Sequence, residues 1–275
     1  MNDLDQLQLL ERITDIACRA SEAIMAVYRR EFDVEKKDDR SPLTEADLAA
    51  HRIIVDALRE LTPDVPVLSE ESSEISAEER LTWRRYWLVD PLDGTREFIK
   101  RNGEFTVNIA LIENHVPTMA VVAVPVDGRC FRAVCGRAEL VDAQGVVTEL
   151  RCAAPASPLR AAGSRSHGSS ETADHLARLG DVEMVPRGSS LKFCEVASGQ
   201  ADLYLRLGPT CEWDTAAAHC VLKAAGGEVL NMAGEPLRYN TDANLKNPEF
   251  LAVGDPARDW VGEMGLAARG TARQQ

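Results

Sequence analysis

No stretch of about 18 apolar residues occurs in this chain, and its opening, MNDLDQLQLL, is acidic where a secretory leader would be basic. Both absences argue against a membrane-spanning segment and against export. Basic residues are also short, 31 against 44 acidic ones, for a net charge of −13. That balance argues against a nucleic-acid polymer as the main partner and against a polybasic membrane contact. Paired cysteine motifs are missing as well. The seven cysteines (Cys18, Cys130, Cys135, Cys152, Cys194, Cys211 and Cys220) are odd in number and scattered, with no C-x-x-C that would suggest zinc or a redox centre. Reduced thiols in a cytoplasm are expected, with peripheral contact to the cytoplasmic face of an inner membrane left open. There is no internal repeat and no low-complexity tract.

What is present is enough apolar material, 45% of 275 residues, for one large domain or two packed lobes. Leu4, Leu7, Ile13, Ile16, Ala20, Ile24 and Val27 recur at helical spacing and predict a helix over 4–30. Thr44 is placed to cap a second helix with Leu48, Ile54, Val55 and Leu58 on its apolar side, stopped by Pro63. Short apolar runs at 65–68, 86–89, 105–112, 119–124 and 130–134, with turn pairs Glu113-Asn114 and Asp127-Gly128, predict a largely antiparallel sheet. Beyond about residue 155 helices (171–179, 190–198, 214–225) alternate with strands (182–185, 201–205, 228–230). The expected division is an α+β lobe over 1–155 and an α/β lobe over 156–275, joined by RCAAPASPL.

Three apolar segments end in carboxylates: SEES with Glu70 and Glu71, DPLDGT with Asp90 and Asp93, and EWDTAAAHC with Asp214. Each has an ordinary explanation, since Pro, Asp and Gly form turns, Asp caps helices, and Thr44-x-x-Asp47 matches a capping box. Those explanations do not account for the recurrence in a chain already carrying excess negative charge. If Glu70, Asp90, Asp93 and Asp214 converge, their repulsion demands cations, and oxygen-only ligands favour magnesium. Gly94 would let the backbone approach a phosphate, the amides of Gly94 and Thr95 would donate to it, and the Thr95 hydroxyl would reach a metal-bound water. The chemistry expected is phosphoryl transfer.

DPLDGT with an upstream EE, a downstream WD and then Gly226-Gly227 resembles the lithium-sensitive, magnesium-dependent phosphatases of the inositol monophosphatase superfamily. Within it, DPLDGTREFIKRNGEFTVNIALIE, GSRSH, GSSLKFCEVASGQADLY and LGPTCEWDTAAAH resemble the 3'(2'),5'-bisphosphate nucleotidases of the CysQ type, from about residue 8 to 253. The resemblance implies an αβαβα layered sandwich and hydrolysis of adenosine 3',5'-bisphosphate to AMP and phosphate, with its 5'-phosphosulfate relative as a further substrate. It implies two to three magnesium ions and inhibition by lithium and calcium. Glu70, Asp90 and the Leu92 carbonyl would hold one ion, and Asp90, Asp93 and Asp214 a second. Glu70 would help hold a third, and Asp47 with Thr95 would activate the water. Leu92 to Thr95 would hold the scissile phosphate. Ser164, Arg165, His167, Ser189, Ser190 and Lys192 are expected at the second phosphate and the nucleoside, although His167 alone is more readily a cap or loop residue. A phosphatase for inositol phosphate or fructose 1,6-bisphosphate is the alternative within the class. A noncatalytic divalent-cation-binding regulator is the alternative outside it. Monomer and homodimer are both left open.

Overall fold

The structure, a computed structural model, describes residues 3–31, 34–36, 42–72, 75–164 and 170–266. The first half runs α1 (Asp3–Tyr28), β1 (Val34–Lys36), β2 (Pro42–Thr44), α2 (Glu45–Leu61), β3 (Val67–Ser69), α3 (Ala77–Arg80), β4 (Arg85–Asp93) and α4 (Thr95–Ile99). A meander follows: β5 (Thr106–Glu113), β6 (Val116–Val124), β7 (Arg129–Val134), β8 (Arg137–Val141) and β9 (Val147–Glu149). The rest comprises β10 (Leu159–Gly163), α5 (Ser170–Ala177), β11 (Val182–Pro186), α6 (Leu191–Ala197), β12 (Leu203–Arg206), a 3-10 turn (Glu212–Asp214), α7 (Ala216–Ala224), β13 (Glu228–Asn231), β14 (Phe250–Val253) and α8 (Trp260–Glu263).

Strands β3 to β9 form a seven-stranded sheet in sequence order, antiparallel except where β3 runs parallel to β4. Its central strands are apolar at nearly every position because both faces are covered. Trp87, Val89, Ile109, Leu111 and Val121 face α1 and α2, while Tyr86, Leu88, Ala110, Ile112 and Val122 face α6 and α7. On its far side, this middle helical layer meets the second sheet through Ala162, Tyr204, Val229, Phe250 and Ala252. A third cluster, Leu159, Leu203, Leu251, Val253, Leu176, Trp260 and Met264, packs α5 and α8 on the outer face. The layers are therefore αβαβα, as the resemblance implied.

Helix α1 buries Leu9, Leu10, Ile13, Ile16, Ala17, Ala20, Ile24 and Val27 at i, i+3, i+4 spacing. Burial of each large side chain contributes roughly 1.5–3 kcal/mol, which docks a helix that would be marginal alone. Leu4 and Leu7 were expected on that stripe. They are exposed instead, because each step of three residues back from Leu10 turns about 60° around the helix and carries Leu7, then Leu4, off the buried stripe.

One turn is corrected, and the pairing of the second sheet is added. The β5–β6 turn is Asn114-His115, both at positive φ, one position beyond the expected pair, as a tight hairpin requires. The second sheet, ordered β11-β10-β12-β14-β13, is mixed: β10 pairs in parallel with β11 and β12, but β14 pairs antiparallel with both β12 and β13. The reason is that β14 is reached from β13 by irregular chain and no crossover helix. Among the described residues no helix is long and apolar enough to cross a membrane.

Candidate active site

Strand β4 runs on through DPLD, and its pairing with β5 slips there: Asp90 lies opposite Asn108 and Asp93 opposite Thr106. Three steps on one strand match two on the other, so β4 carries one extra residue, a β-bulge at a proline that has no amide to give the ladder. In a regular strand, residues three apart point to opposite faces. The extra residue returns Asp93 to the face of Asp90 and sends Leu92 into the α1/α2 core. It also frees peptide groups. The Leu92 amide donates to Asp90 Oδ1 at 3.0 Å, and the Leu92 carbonyl lies 3.3 Å from Thr95 Oγ1.

Asp214 arrives from the other side. It was expected to open a helix, but α7 starts at Ala216, and Asp214 closes the preceding 3-10 turn by accepting from the Cys211 amide at 2.8 Å. Ligand oxygens of Asp90, Asp93 and Asp214 lie within 4.8 Å of one another. Glu70, whose amide continues the β3–β4 pairing onto the Val89 carbonyl, stands beside them and shares a hydrogen bond with Asp90. Burial, then the charges of Glu70, Asp93 and Asp214, hold the Asp90 carboxyl well above the carboxylate range. Burial and Asp93 push Asp214 up to about 8. Clustered carboxylates that resist ionisation, with oxygen donors only, fit a hard divalent cation.

Because these carboxyls bind protons more tightly folded than unfolded, their stabilisation is complete below about pH 4 and is lost as pH rises through the folded value. In EDTA the melting temperature is therefore expected to fall between pH 4 and 8. Magnesium should raise it most at the alkaline end, and Asp214→Asn should flatten the slope. A metal-free melting curve independent of pH over that range would contradict the clustering.

Asp47 Oδ2 accepts from the Thr44 amide (2.8 Å), its half of the expected capping box, and from the Thr44 hydroxyl (2.6 Å), while Oδ1 lies 3.3 Å from Thr95 Oγ1. Four residues on, in the direction of Glu70, His51 Nδ1 meets Ser69 Oγ at 2.9 Å. Gly94 has φ 91°, and a Cβ there would come within 3.2 Å of Ser189 Cβ, so the loop after β4 can touch the loop before α6 only as glycine.

Asp93, Gly94 and Asp214 lie on one wall of a cleft of about 500 Å³, which Ser164, Ser189, Lys192 and Arg206 also line. Gly163, Leu176, Met184 and Leu207 add apolar lining. Lys192 is buried, donates to the Ser189 carbonyl at 2.7 Å, and has its Nζ 5.3 Å from the Tyr204 ring centre. Burial lowers its pKa to about 8 against the pull of Asp93.

Ser190, expected at the nucleotide, is not on this wall. It is turned onto Asp93. Arg165 and His167 lie outside the described residues. Gly226-Gly227 is a turn and packing pair, since a Cβ on Gly227 would stand 2.4 Å from the Val253 carbonyl oxygen. Asn108, Ser69 and His51 were missed. A polar Asn inside the apolar run TVNIALI was the available signal for the first.

The inositol monophosphatase family model matches residues 5–253. The chain is 50% identical over 244 residues to a 3'(2'),5'-bisphosphate nucleotidase CysQ of Escherichia coli K12, covering 88% of this chain and 98% of that protein. It is 38% identical over 255 residues to the Haemophilus influenzae protein of the same name, covering 92% and 95%. Among solved structures, CysQ from Bacteroides thetaiotaomicron superposes with a TM-score of 0.79 at 42% identity, over 90% of this chain and 98% of that one. An IMPase from Thermotoga maritima shares the fold, with a TM-score of 0.73 at 21% identity over 95% and 98%.

Proposed function

Since this chain belongs to the inositol monophosphatase family, we propose that it is a magnesium-dependent phosphatase that removes the 3'-phosphate of adenosine 3',5'-bisphosphate to give AMP and phosphate. The phosphosulfate relative is a second substrate of the same site. The observation that carries this reading is that one cleft holds the Asp93 and Asp214 carboxylates together with Lys192, a second anion-binding element suited to a phosphate that is not cleaved.

The donor set suits magnesium: Glu70, Asp90 and the Leu92 carbonyl would hold one ion, Asp90, Asp93 and Asp214 a second, and Glu70 would contribute to a third. When bound, magnesium supplies Lewis-acid stabilisation of phosphoryl charge and acidifies water. The chain's own residues do the rest. Leu92 to Thr95 orient the scissile phosphate. The Thr95 hydroxyl donates to Asp47 Oδ1, which turns its lone pairs toward the attacking water. The water's proton passes to Thr95 as Thr95 gives its own to Asp47. No phosphoenzyme forms. Ser164, Ser189 and Lys192 would hold the second phosphate and nucleoside, with Arg165 and His167. The two-lobe division at residue 155 places the carboxylates of β4 in one lobe and Asp214 in the other, and the enzyme works in the cytoplasm.

Phosphate release from adenosine 3',5'-bisphosphate, its phosphosulfate relative, inositol phosphate and fructose 1,6-bisphosphate tests the reading. The nucleotide substrates are expected to exceed the others at least about tenfold in kcat/KM, the lower bound for one charge-assisted contact. Activity should vanish in EDTA and fall with added lithium or calcium, since calcium prefers longer, less regular coordination. Preference for inositol phosphate, or full activity in calcium alone, would overturn it.

A further inference from the structure

Two adjacent serines precede α6, and they face different ways. Ser189 has left-handed backbone (φ 42°), lines the cleft, and carries a buried hydroxyl with no hydrogen-bond partner among the described residues. Ser190 is 1% exposed. Its amide donates to Asp93 Oδ2 at 2.6 Å, and its hydroxyl lies 2.8 Å from that same oxygen and 2.8 Å from the Asp214 carbonyl. Asn108 Nδ2 donates to the Ser190 hydroxyl at 2.9 Å. Because Asn108 fills one lone pair of that hydroxyl, its single proton is directed to Asp93 or to the Asp214 carbonyl.

Asn108 is fully buried between Val107 and Ile109 in β5, directly across the ladder from Asp90. A buried amide there is costly unless it has a task. Its Oδ1 makes no hydrogen bond among the described residues, so its secured contact is the one to Ser190. Asp93 Oδ2 takes the Ser190 amide and shares the hydroxyl's single proton with the Asp214 carbonyl, with Thr106 Oγ1 more distant at 3.4 Å, which leaves Oδ1 for a cation.

We propose that Asn108 and Ser190 form a clamp that fixes Asp93 and the Asp214 segment at metal-binding separation across the junction of the two sheets. Ser190 is then a positioning residue for the carboxylates, and Ser189 is the serine that meets substrate. The proposal rests on reading the carboxylate trio as a magnesium site.

Ser190→Ala keeps the amide and removes the hydroxyl. Outer-shell partners of metal ligands typically govern ten- to a hundredfold in metal affinity. Isothermal titration of magnesium alone into the full-length variant should show an affinity loss of about that size, with KM for adenosine 3',5'-bisphosphate at saturating magnesium within about twofold of wild type. Ser189→Ala should show the reverse pattern, a raised KM with unchanged magnesium affinity. Melting in EDTA reports whether Ser190→Ala is folded. If it is not, Asn108→Leu, which removes the amide at similar volume, carries the same expectation. A raised KM with normal magnesium affinity in Ser190→Ala would make Ser190 a substrate contact, and wild-type values for both would leave the clamp without a role; either overturns it. Failure of the wild-type protein to bind magnesium would instead overturn the metal reading, and the clamp with it.

Discussion

Asp90→Asn is expected to lower turnover by at least about a thousandfold, roughly 4 kcal/mol of transition-state stabilisation at 1.36 kcal/mol per decade. In the proposed site Asp90 would be a ligand to both ions, and a neutral amide of the same shape would not offset their charge. The fold should not suffer. Asp90 is 1% exposed, its carboxyl is crowded by burial, Glu70, Asp93 and Asp214, and Oδ1 of an asparagine can still accept the Leu92 amide. Metal-free Asp90→Asn is therefore expected to melt at or above wild type, with the larger advantage at pH 8, where the clustered carboxyls are under most pressure to ionise. Near pH 4 Asp90 is already protonated, and a neutral group replaces a neutral group. Initial rates at saturating magnesium and melting curves in EDTA measure both. Near-normal turnover would sink the bridging assignment.

Lys192→Ala is expected to raise KM for adenosine 3',5'-bisphosphate by about ten- to over a hundredfold with kcat nearly unchanged. A charge-assisted contact to phosphate contributes roughly 1.5 to 3 kcal/mol, and a contact equal in ground and transition states appears only in KM. The loss should be confined to substrates with the second phosphate. Adenosine 3'-monophosphate, which lacks it, should lose little, so kcat/KM for both substrates with both proteins forms a cycle that isolates the contact. The lowered pKa of Lys192, about 8, adds a signature. Above that pH the free enzyme loses the charge, so wild-type KM for the bisphosphate should climb toward that of the variant. Equal losses on the two substrates would move Lys192 into general folding or catalysis.

The outer helices and the carboxylates were legible because each has a local cause. The stripe of α1 repeats every three to four residues, Thr44 and Asp47 cap within one turn, and two aspartates at a strand end stand out by charge alone. What was hidden depended on pairing between distant segments. Strand β14, at Phe250–Val253, has little local pattern beyond four apolar letters, and it turns the second sheet mixed only through its partners. Ser189 and Ser190 are the same letter side by side. Only the left-handed backbone at Ser189 decides which faces the cleft, and serine seldom announces that conformation in sequence. Leu4 and Leu7 are spaced by three, a near-helical interval that drifts around the helix and leaves both off the stripe that starts at Leu9.

The bulge in β4 has a consequence for how other sequences should be aligned with this one. A strand sorts its side chains by even and odd count, and the pair Asp90 and Asp93 is odd. Written as letters, D-x-x-D in an unbroken ladder would aim its acids at opposite sides of a sheet. Here one unpaired peptide makes an odd interval behave as an even one. Shortening the interval to D-x-D would also keep both acids on one side, so a gap of one residue would look harmless. It would remove the spare peptide, however, and return the Leu92 carbonyl and amide to the ladder. A sequence with that gap keeps the charges and loses the backbone oxygen among them. Interval length and ladder slippage therefore have to be compared together, and matching the two aspartates alone does not establish the same site.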